Sequence, residues 1–275
     1  MPKRVHGVKG FHSAYSAAAN ASTTDRFITI DADSVIRDPD IFSIRLDDRN
    51  MDDVVFAFGA RNVVNGLIYG NGGIKCWPKG LFGEVVTHEC AKGGPAQLDF
   101  HFAYRYWRLK TVASDNCFAS TPYHAFRGGY REAVKLSLVK GVKLNTWDET
   151  KAEMPRSNWS RLLVWLSVGT DVPNGLWAII GARSALIDLW IRRTTSPERI
   201  ADYDWLSDVW RESSHLCDFD QVFADQQRLL DVLSVEAPVL EPALSKWFKQ
   251  AYLNYPSNGL FDFSGNISSA LDPVS

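Results

Sequence analysis

Two aspartates separated by one small residue have the clearest chemical potential in this sequence of 275 residues. Asp31-Ala32-Asp33 follows directly on the β-rich run Phe27–Ile30. Two carboxylates at the end of a strand can face one hard divalent cation, and Mg²⁺ or Mn²⁺ bound in this way bridges a protein to phosphate oxygens. The chemistry that this predicts is neutralisation of the charge on a departing diphosphate. The alternative is that the two acids only cap a turn.

A stretch rich in glycine and asparagine follows the second predicted strand, Val54–Phe58. Residues 61–75 contain four Gly and three Asn. Glycine admits positive φ angles and close approach of the backbone to a ligand, and long loops of mixed composition commonly carry function. This stretch is therefore predicted to be an irregular functional loop.

A third feature is a predicted helix with cations along one face. Ser120-Thr121-Pro122 offers a hydroxyl N-cap and a proline for the first turn, and the helix is predicted to run to about Lys140. Its basic face is formed by His124, Arg127, Arg131 and Lys135. Such a line of cations can bind the phosphates of a nucleic acid or of a diphosphate. The alternative is a solvated face whose cations pair with acids such as Glu132.

The elements that position these residues change character along the chain. A helix over residues 9–21 and the strand Phe27–Ile30 precede the two aspartates, as in an open α/β sheet that binds ligands at the carboxyl ends of its strands. Weaker strands are predicted at residues 84–86, 99–102 and 111–114. After a polar linker that contains Trp147 and Asp148, helices are predicted at residues 159–166, 177–192, 197–212, 219–235 and 241–253. The domains expected are an α/β part over 1–150, a helical region over 151–262 and a frayed tail over 263–275.

Composition narrows the classes of function. Thirty basic and 32 acidic side chains give a net charge of −2, which excludes a protein that is cationic overall and binds nucleic acid non-specifically. The four cysteines lack metal-site spacing and are predicted to be reduced thiols. No apolar segment is long enough to span a bilayer, and the N-terminus does not have the pattern of a signal peptide. A cytoplasmic protein without a membrane anchor is therefore expected.

Several blocks taken together resemble a group of phage-type GT-A glycosyltransferases, those associated with TET/JBP-type oxygenases. The blocks are Arg4–Gly10 with the helix after it, Phe27–Asp33, Ala60–Lys75 and Ser120–Leu136, so the resemblance covers roughly residues 4–140. It implies a GT-A-like (Rossmann-like) mixed sheet in an α/β fold, followed by a helical C-terminal region. Members of this group have a strand and a helix before the segment that begins here at Met1. The resemblance therefore also implies a sheet that lacks the usual first βα unit.

The resemblance implies a metal-dependent glycosyltransferase that moves a sugar from a nucleotide-sugar, foremost a UDP-sugar, to an acceptor hydroxyl. One acceptor that it implies is a hydroxymethylated base, such as hydroxymethylcytosine, in phage DNA within the bacterial host cytoplasm. Mn²⁺ or Mg²⁺ would be held by Asp31 and Asp33, with His124 as a candidate third ligand. Donor contacts are expected from Lys9, Gly10, Asn62, Asn65, Gly72, Gly73 and Lys75. Acceptor or phosphate contacts are expected from Arg127, Arg131 and Lys135.

The catalytic base is left open by the sequence. Transfer with inversion needs a group that accepts the proton of the acceptor hydroxyl, whereas retention uses the leaving phosphate. The candidates for the base are Glu132 and Asp148, with Asp115 and Asp171 as further ones. Two other functions stay open: a catalytically impaired GT-A remnant that binds nucleic acid or acts in assembly, and a nucleotidyltransferase, which uses the same metal chemistry and releases pyrophosphate.

Overall fold

The computed structural model describes residues 3–37, 39–43, 51–69, 73–83 and 104–254, with the single residues Thr87, Ala91 and Leu98. The described chain is mixed α/β and forms two compact units. The first, called the sheet unit, is Met1–Asn62 with Ile68–Cys117, and the second, called the helical unit, is Val63–Leu67 with Phe118–Ser275. The domain boundaries expected at residues 150 and 262 remain predictions, and residues 263–275 lie outside the described part.

In its described residues, the sheet unit has a five-stranded mixed sheet preceded by one helix. The helix is α1 (Phe11–Ala21), and the strands are β1 (Arg26–Ile30), β2 (Ser34–Ile36), β3 (Val54–Asn62), β4 (Ile74–Pro78) and β5 (Arg105–Asn116). The strand order is β1-β4-β3-β5-β2; β3 and β5 are parallel, and the other neighbouring pairs are antiparallel. The mixed α/β class is thus confirmed.

Several predicted elements can be compared with these strands. The strands predicted at Phe27–Ile30, Val54–Phe58 and residues 111–114 are confirmed within β1, β3 and β5. The prediction of one irregular loop over residues 61–75 is wrong at both ends, because β3 continues to Asn62 and β4 begins at Ile74. The strands predicted at 84–86 and 99–102 lie outside the described residues.

The core of the sheet unit joins α1 to the sheet through aromatic side chains. Tyr15 and Ala19 of α1 are buried against Val55 and Trp77. The Tyr15 ring meets the Trp77 ring edge-on, with 5.5 Å between the centroids. The indole N–H of Trp77 donates to Thr29 Oγ1 at 2.8 Å, so its one polar atom is satisfied inside the core. These contacts fix α1 against the end of β1 that precedes the two aspartates.

The helical unit contains seven α-helices in its described part. They are α2 (Pro122–Leu136), α3 (Trp147–Glu153), α4 (Arg156–Ser167), α5 (Gly175–Leu186), α6 (Tyr203–Ser213), α7 (Phe219–Asp231) and α8 (Pro242–Asn254). A π-helical segment, Ile187–Arg192, continues α5, and a 3₁₀ turn, Pro197–Ala201, precedes α6. Within the described ranges, no helix combines the length and the apolarity needed to cross a bilayer.

The helix starts follow local capping chemistry. The Thr121 hydroxyl accepts from the His124 N–H at 3.1 Å, and Pro122 occupies the first turn of α2, as predicted. The predicted linker around Trp147 is instead helical, because Thr146 and Glu149 form a reciprocal capping box. The single helix predicted over residues 197–212 is wrong as well, since the 3₁₀ turn and α6 are separate segments and Asp202 caps α6.

Candidate functional site

The two strands at the ends of the strand order meet at the pair of aspartates. Only residues 31–33 connect β1 to β2. Four strand spacings of about 4.8 Å would separate these strands by about 19 Å in a flat sheet, whereas the four residue steps from Ile30 to Ser34 reach at most about 14 Å. The sheet therefore curls at this end. The Asp31 N–H donates to Gly73 O at 2.9 Å, and the Ser34 N–H donates to Asp31 O at 3.0 Å.

The pairing of the strands places one end of each of the five at the same edge of the sheet, and the curl brings β1 and β2 together there. β1, β3 and β5 finish here at Ile30, Asn62 and Asn116, and β2 and β4 begin here. This end of the sheet is called the carboxyl end below. Sequence reasoning predicted ligand chemistry at the end of β1, and the structure brings Asp31, Asp33, Asn62 and Gly73 to this one end.

Asp31 is oriented by α1 and by Gly73, the residue before β4. The Tyr15 hydroxyl donates to Asp31 Oδ1 at 3.0 Å. A Cβ added to Gly73 would lie 3.3 Å from Asp31 Oδ2 and 2.0 Å from Ser34 Oγ, so only glycine permits this close approach. Asp31 is therefore held with one oxygen bound by a phenol, whereas Asp33 is exposed at the surface of the turn.

The Ser34 hydroxyl supports the interpretation of this turn as a cation site. Its Oγ is buried and has no hydrogen-bond partner among the described residues. An orphaned oxygen in the same turn as two carboxylates fits a hard divalent cation, which takes oxygen ligands. No three His, Cys, Asp or Glu side chains of the described part come together as a metal-binding group. A cation on Asp31 and Asp33 would therefore complete its coordination with water or with phosphate oxygens of a ligand.

A second charged cluster on β3 and β5 was missed by sequence reasoning. Arg61 binds Asp115 through two bonds, from Nε to Oδ1 at 2.8 Å and from Nη2 to Oδ2 at 3.0 Å. Arg37 donates to the same carboxylate at 3.2 Å. Two guanidinium groups on one carboxylate leave an excess of positive charge, which suits a phosphate ligand. Asp115 is thus bound by two cations and does not offer a free base.

The positive cluster lies close to Asp33 in the structure. The Cys117 N–H donates to Asp33 O at 2.7 Å, and Cys117 is the next residue but one after Asp115. Burial raises the pKa of the Cys117 thiol, and the negative charges of Asp115 and Asp33 raise it further. The hydrogen bond from Cys117 to Asp33 thus places the two aspartates and the cluster of Arg37, Arg61 and Asp115 at the same end of the sheet.

An open groove of about 830 Å³ runs along β1 to Asp31. The extended segment of residues 3–8 forms one wall, and α1 forms another with the small side chains of Ala14, Ala18 and Ala21. Ile28 and Ile30, also in the lining, are 40% and 44% exposed. An apolar floor with small-residue walls accepts a flat ring, so the groove has the shape and size of a site for a nucleotide-sized ligand.

The remaining predicted donor residues have different environments. Gly10 caps α1 with φ of 93°, and Lys9 before it is exposed. Lys75 lies buried within β4, between Thr29 and Ala57, and not in a loop. Asn65 belongs to the helical unit, where its Oδ1 accepts from the Leu67 N–H at 3.2 Å and stabilises a tight turn. Gly72 lies outside the described residues.

The other predicted site residues belong to the helical unit. His124 Nδ1 and Ser120 Oγ are 3.0 Å apart, and Lys135 pairs with Glu132 at 3.3 Å. Asp148 is exposed in the first turn of α3, where its negative charge interacts favourably with the helix dipole. Asp171 forms a largely buried ion pair with Lys249 at 2.7 Å. Arg127 and Arg131 contact Tyr203. The metal role of His124 and the base roles of Glu132 and Asp148 stay predictions.

Replacing Tyr15 by phenylalanine is expected to flatten the alkaline dependence of stability. Burial, and then the charge and the hydrogen bond of Asp31, raise the pKa of Tyr15 well above its usual value. In the unfolded chain the phenol of Tyr15 ionises near pH 10, whereas in the folded chain it stays neutral to higher pH. The stabilisation that goes with the raised pKa is therefore fully present below about pH 10. It is lost at about 1.4 kcal/mol per pH unit as the pH rises toward the folded-state pKa.

Urea unfolding of Tyr15→Phe and of the unaltered chain, between about pH 9 and pH 11, measures this difference. The variant should also lose about 1 kcal/mol below pH 10, because its hydrogen bond to Asp31 is absent. Parallel pH profiles for the two chains would contradict the assigned environment of Tyr15.

No family model, no curated protein and no solved structure matches this chain. Any assignment of function therefore depends on the groups at the carboxyl end of the sheet: two aspartates, an orphaned serine hydroxyl, two arginines and an open groove.

Proposed function

We propose that this chain is a metal-dependent glycosyltransferase with a GT-A-like fold, which moves a sugar from a nucleotide-sugar to an acceptor hydroxyl. The observation that carries the proposal is the position of Asp31, which lines the open groove and shares one turn with Asp33 and the orphaned Ser34 hydroxyl. A nucleoside in the groove would direct its diphosphate toward this turn. A UDP-sugar is the donor to test first.

The groove suits the nucleoside half of such a donor. Its volume of about 830 Å³ falls in the range of small-molecule sites. Lys3 and Arg4 lie in the wall formed by the N-terminal segment and bring positive charge to it. The half-exposed Ile28 and Ile30 offer an apolar surface to a base or a sugar ring. Base and ribose would therefore lie along β1, with phosphates at its end.

The residues at the end of β1 would offset the negative charge of the diphosphate. Asp31, Asp33 and the Ser34 hydroxyl would hold Mn²⁺ or Mg²⁺, which would supply charge neutralisation for the leaving nucleoside diphosphate. Tyr15 keeps the Asp31 carboxylate in one orientation through its hydrogen bond of 3.0 Å. Arg37 and Arg61 exceed the charge of Asp115 and offer donors to phosphate oxygens.

The resemblance supplies the acceptor of this proposal. A hydroxymethylated base in phage DNA, modified in the bacterial host cytoplasm, is the acceptor to test first. Glu132 and Asp148 remain the candidates for the base that accepts the proton of its hydroxyl. Glu132 pairs with Lys135 at 3.3 Å. Measuring transfer activity in Glu132→Gln and in Asp148→Asn tests which of the two carboxylates acts as the base.

Replacing Asp31 by asparagine is expected to weaken nucleotide binding at least tenfold and to abolish sugar transfer. The amide keeps the shape of the side chain but removes the charge that would hold the cation, and removal of a group that supports a metal site commonly costs about 10- to 100-fold in affinity. Calorimetric titration with UDP and Mn²⁺ measures binding, and a panel of nucleotide-sugars with a hydroxymethylated oligonucleotide measures transfer.

Asp53→Asn is the matched control for this experiment. Asp53 precedes β3 at the opposite end of the same sheet and is a surface residue paired with Arg105 at 2.8 Å. Its replacement should leave nucleotide binding unchanged. Absence of any nucleotide binding in the unaltered chain, together with intact DNA binding in Asp31→Asn, would favour the catalytically impaired remnant. Release of pyrophosphate from a nucleoside triphosphate would instead identify a nucleotidyltransferase.

A further inference from the structure

A tyrosine that contacts two arginines lies on the surface of the helical unit. Tyr203 is the first residue of α6, and Arg127 and Arg131 lie one turn apart on α2. The Cζ atoms of the two arginines are 4.7 and 5.1 Å from the centroid of the Tyr203 ring. Arg131 Nη1 also donates to the Tyr203 hydroxyl at 3.0 Å. These three residues are called the Arg-Tyr platform.

The arginines of the platform differ from the cations around them. Neither pairs with a carboxylate of the described part of the chain, and each is only partly buried. The neighbouring cations are paired: Lys135 with Glu132 at 3.3 Å, and Arg211 with Asp208 at 2.6 Å. A guanidinium that rests on an aromatic ring keeps most of its N–H donors for a ligand, and phosphate is the anion that these donors fit best.

The aromatic part of the platform is both exposed and supported. Tyr203 is 44% exposed. The Tyr123 hydroxyl donates to the backbone oxygen of Tyr203 at 3.2 Å, and the Tyr123 ring lies 6.2 Å from the Trp210 ring. Arg127 lies over Tyr123 as well, at 5.4 Å. The exposed ring is therefore held in place by α2 and α6 and offers a rigid surface on which a base can stack.

We infer that the Arg-Tyr platform binds single-stranded nucleic acid, with phosphates on Arg127 and Arg131 and an unpaired base against Tyr203. Bases within a duplex are stacked and paired, so they cannot reach a tyrosine on a helix surface, whereas an unpaired base can. The two arginines, on a chain of net charge −2, also form too small a basic surface for tight duplex binding. The inference does not rest on the proposed transferase activity.

Binding is measured by fluorescence anisotropy with a labelled oligo(dT) of about 15 nucleotides, using the full chain without metal or nucleotide-sugar. Arg127→Gln and Arg131→Gln are each expected to weaken binding about fivefold, and Tyr203→Ala about tenfold. The slope of log affinity against log salt should fall by about 0.7 for each phosphate that an arginine no longer neutralises. Tyr203→Phe keeps the ring, so its affinity should stay within about twofold of the unaltered chain.

Arg211→Gln is the matched control, because it removes one positive charge from α6 but leaves the platform intact. Its affinity should change less than about twofold. No binding of oligo(dT), equal or tighter binding of a duplex of the same length, or an Arg211→Gln effect as large as that of Arg127→Gln would each overturn the inference. Arg127→Gln changes a partly buried surface side chain and Tyr203→Phe keeps the ring, so the test does not depend on the stability of Tyr203→Ala.

Discussion

Arg183→Met is expected to destabilise the helical unit by about 3 kcal/mol or more. Arg183 is 1% exposed, and burial lowers its pKa to about 10, so the buried guanidinium remains charged at neutral pH. It donates to three backbone oxygens: Leu166 O at 2.9 Å, Phe223 O at 3.4 Å and Ala237 O. Methionine fills similar space but leaves these carbonyls without their donor in the protein interior.

The same interaction explains how Arg183 organises the unit. Leu166 lies in the last turn of α4, whose final carbonyls have no partner within their own helix, and Phe223 lies in α7. One side chain of α5 thus joins two further helices and the segment before α8. No carboxylate among the described residues pairs with Arg183, so the carbonyl dipoles and the Phe223 ring, whose centroid is 5.4 Å from Arg183 Cζ, offset the cost of burying the charge.

Thermal and urea unfolding measure the effect of Arg183→Met, which should lower the melting temperature by about 10 °C. Arg228→Met is the matched control, since the side chain of Arg228 is 74% exposed and its pair with Asp225 contributes little. Arg183→Lys should fall between them, because a single ammonium cannot reach all three oxygens. Equal stability of Arg183→Met and Arg228→Met would show that the carbonyl contacts carry no net energy.

Gly129→Ala is expected to destabilise the helical unit by about 3 kcal/mol, against the usual trend for helices. A Cβ on Gly129 of α2 would lie 1.9 Å from Ala178 O of α5, and a Cβ on Gly181 of α5 would lie 2.1 Å from Phe126 O of α2. The two helices therefore touch backbone to backbone at two reciprocal glycines. Space for a methyl group exists only if the helices move apart, and that would disrupt the buried contacts between them.

The expected loss of stability in Gly129→Ala is opposite in sign to the usual effect of this substitution in a helix. Alanine is favoured over glycine by about 1 kcal/mol in an ordinary helix, so an uncrowded site would be stabilised. Gly80→Ala serves as the control, because nothing lies within 4 Å of a Cβ at that position. Urea unfolding of the two variants and of Gly181→Ala compares the sites. A Gly129→Ala variant as stable as the unaltered chain would mean that α2 and α5 pack less closely than described.

Local sequence signals predicted much of the fold. The apolar runs predicted β1 and the start of β3, and Thr121 with Pro122 predicted the start of α2. The two acids after the apolar run predicted a cation site at the end of β1, where Gly73 and the orphaned Ser34 hydroxyl also lie. Each of these signals acts within a few residues, so a pattern along the chain can reveal it.

The errors arose where distant contacts override local preference. β4 contains Lys75 and Pro78 and follows a glycine-rich stretch, which favours a loop, yet pairing with β1 and β3 makes it a buried strand. α3 was missed because its polar residues indicated a linker, although Trp147 is buried and donates to Leu233 O at 2.8 Å. Burial of a few side chains against distant partners decided both elements.

By itself, the sequence determined the mixed α/β class, the cap of α2 and the presence of two acids directly after a strand, because these depend on residues close together in the chain. Only the tertiary structure decided which charged groups meet. Arg61 and Asp115 are 54 residues apart, and Arg131 and Tyr203 are 72 apart. Neither pair has a signature along the chain, since the parallel pairing of β3 with β5 and the packing of α2 against α6 bring their side chains together.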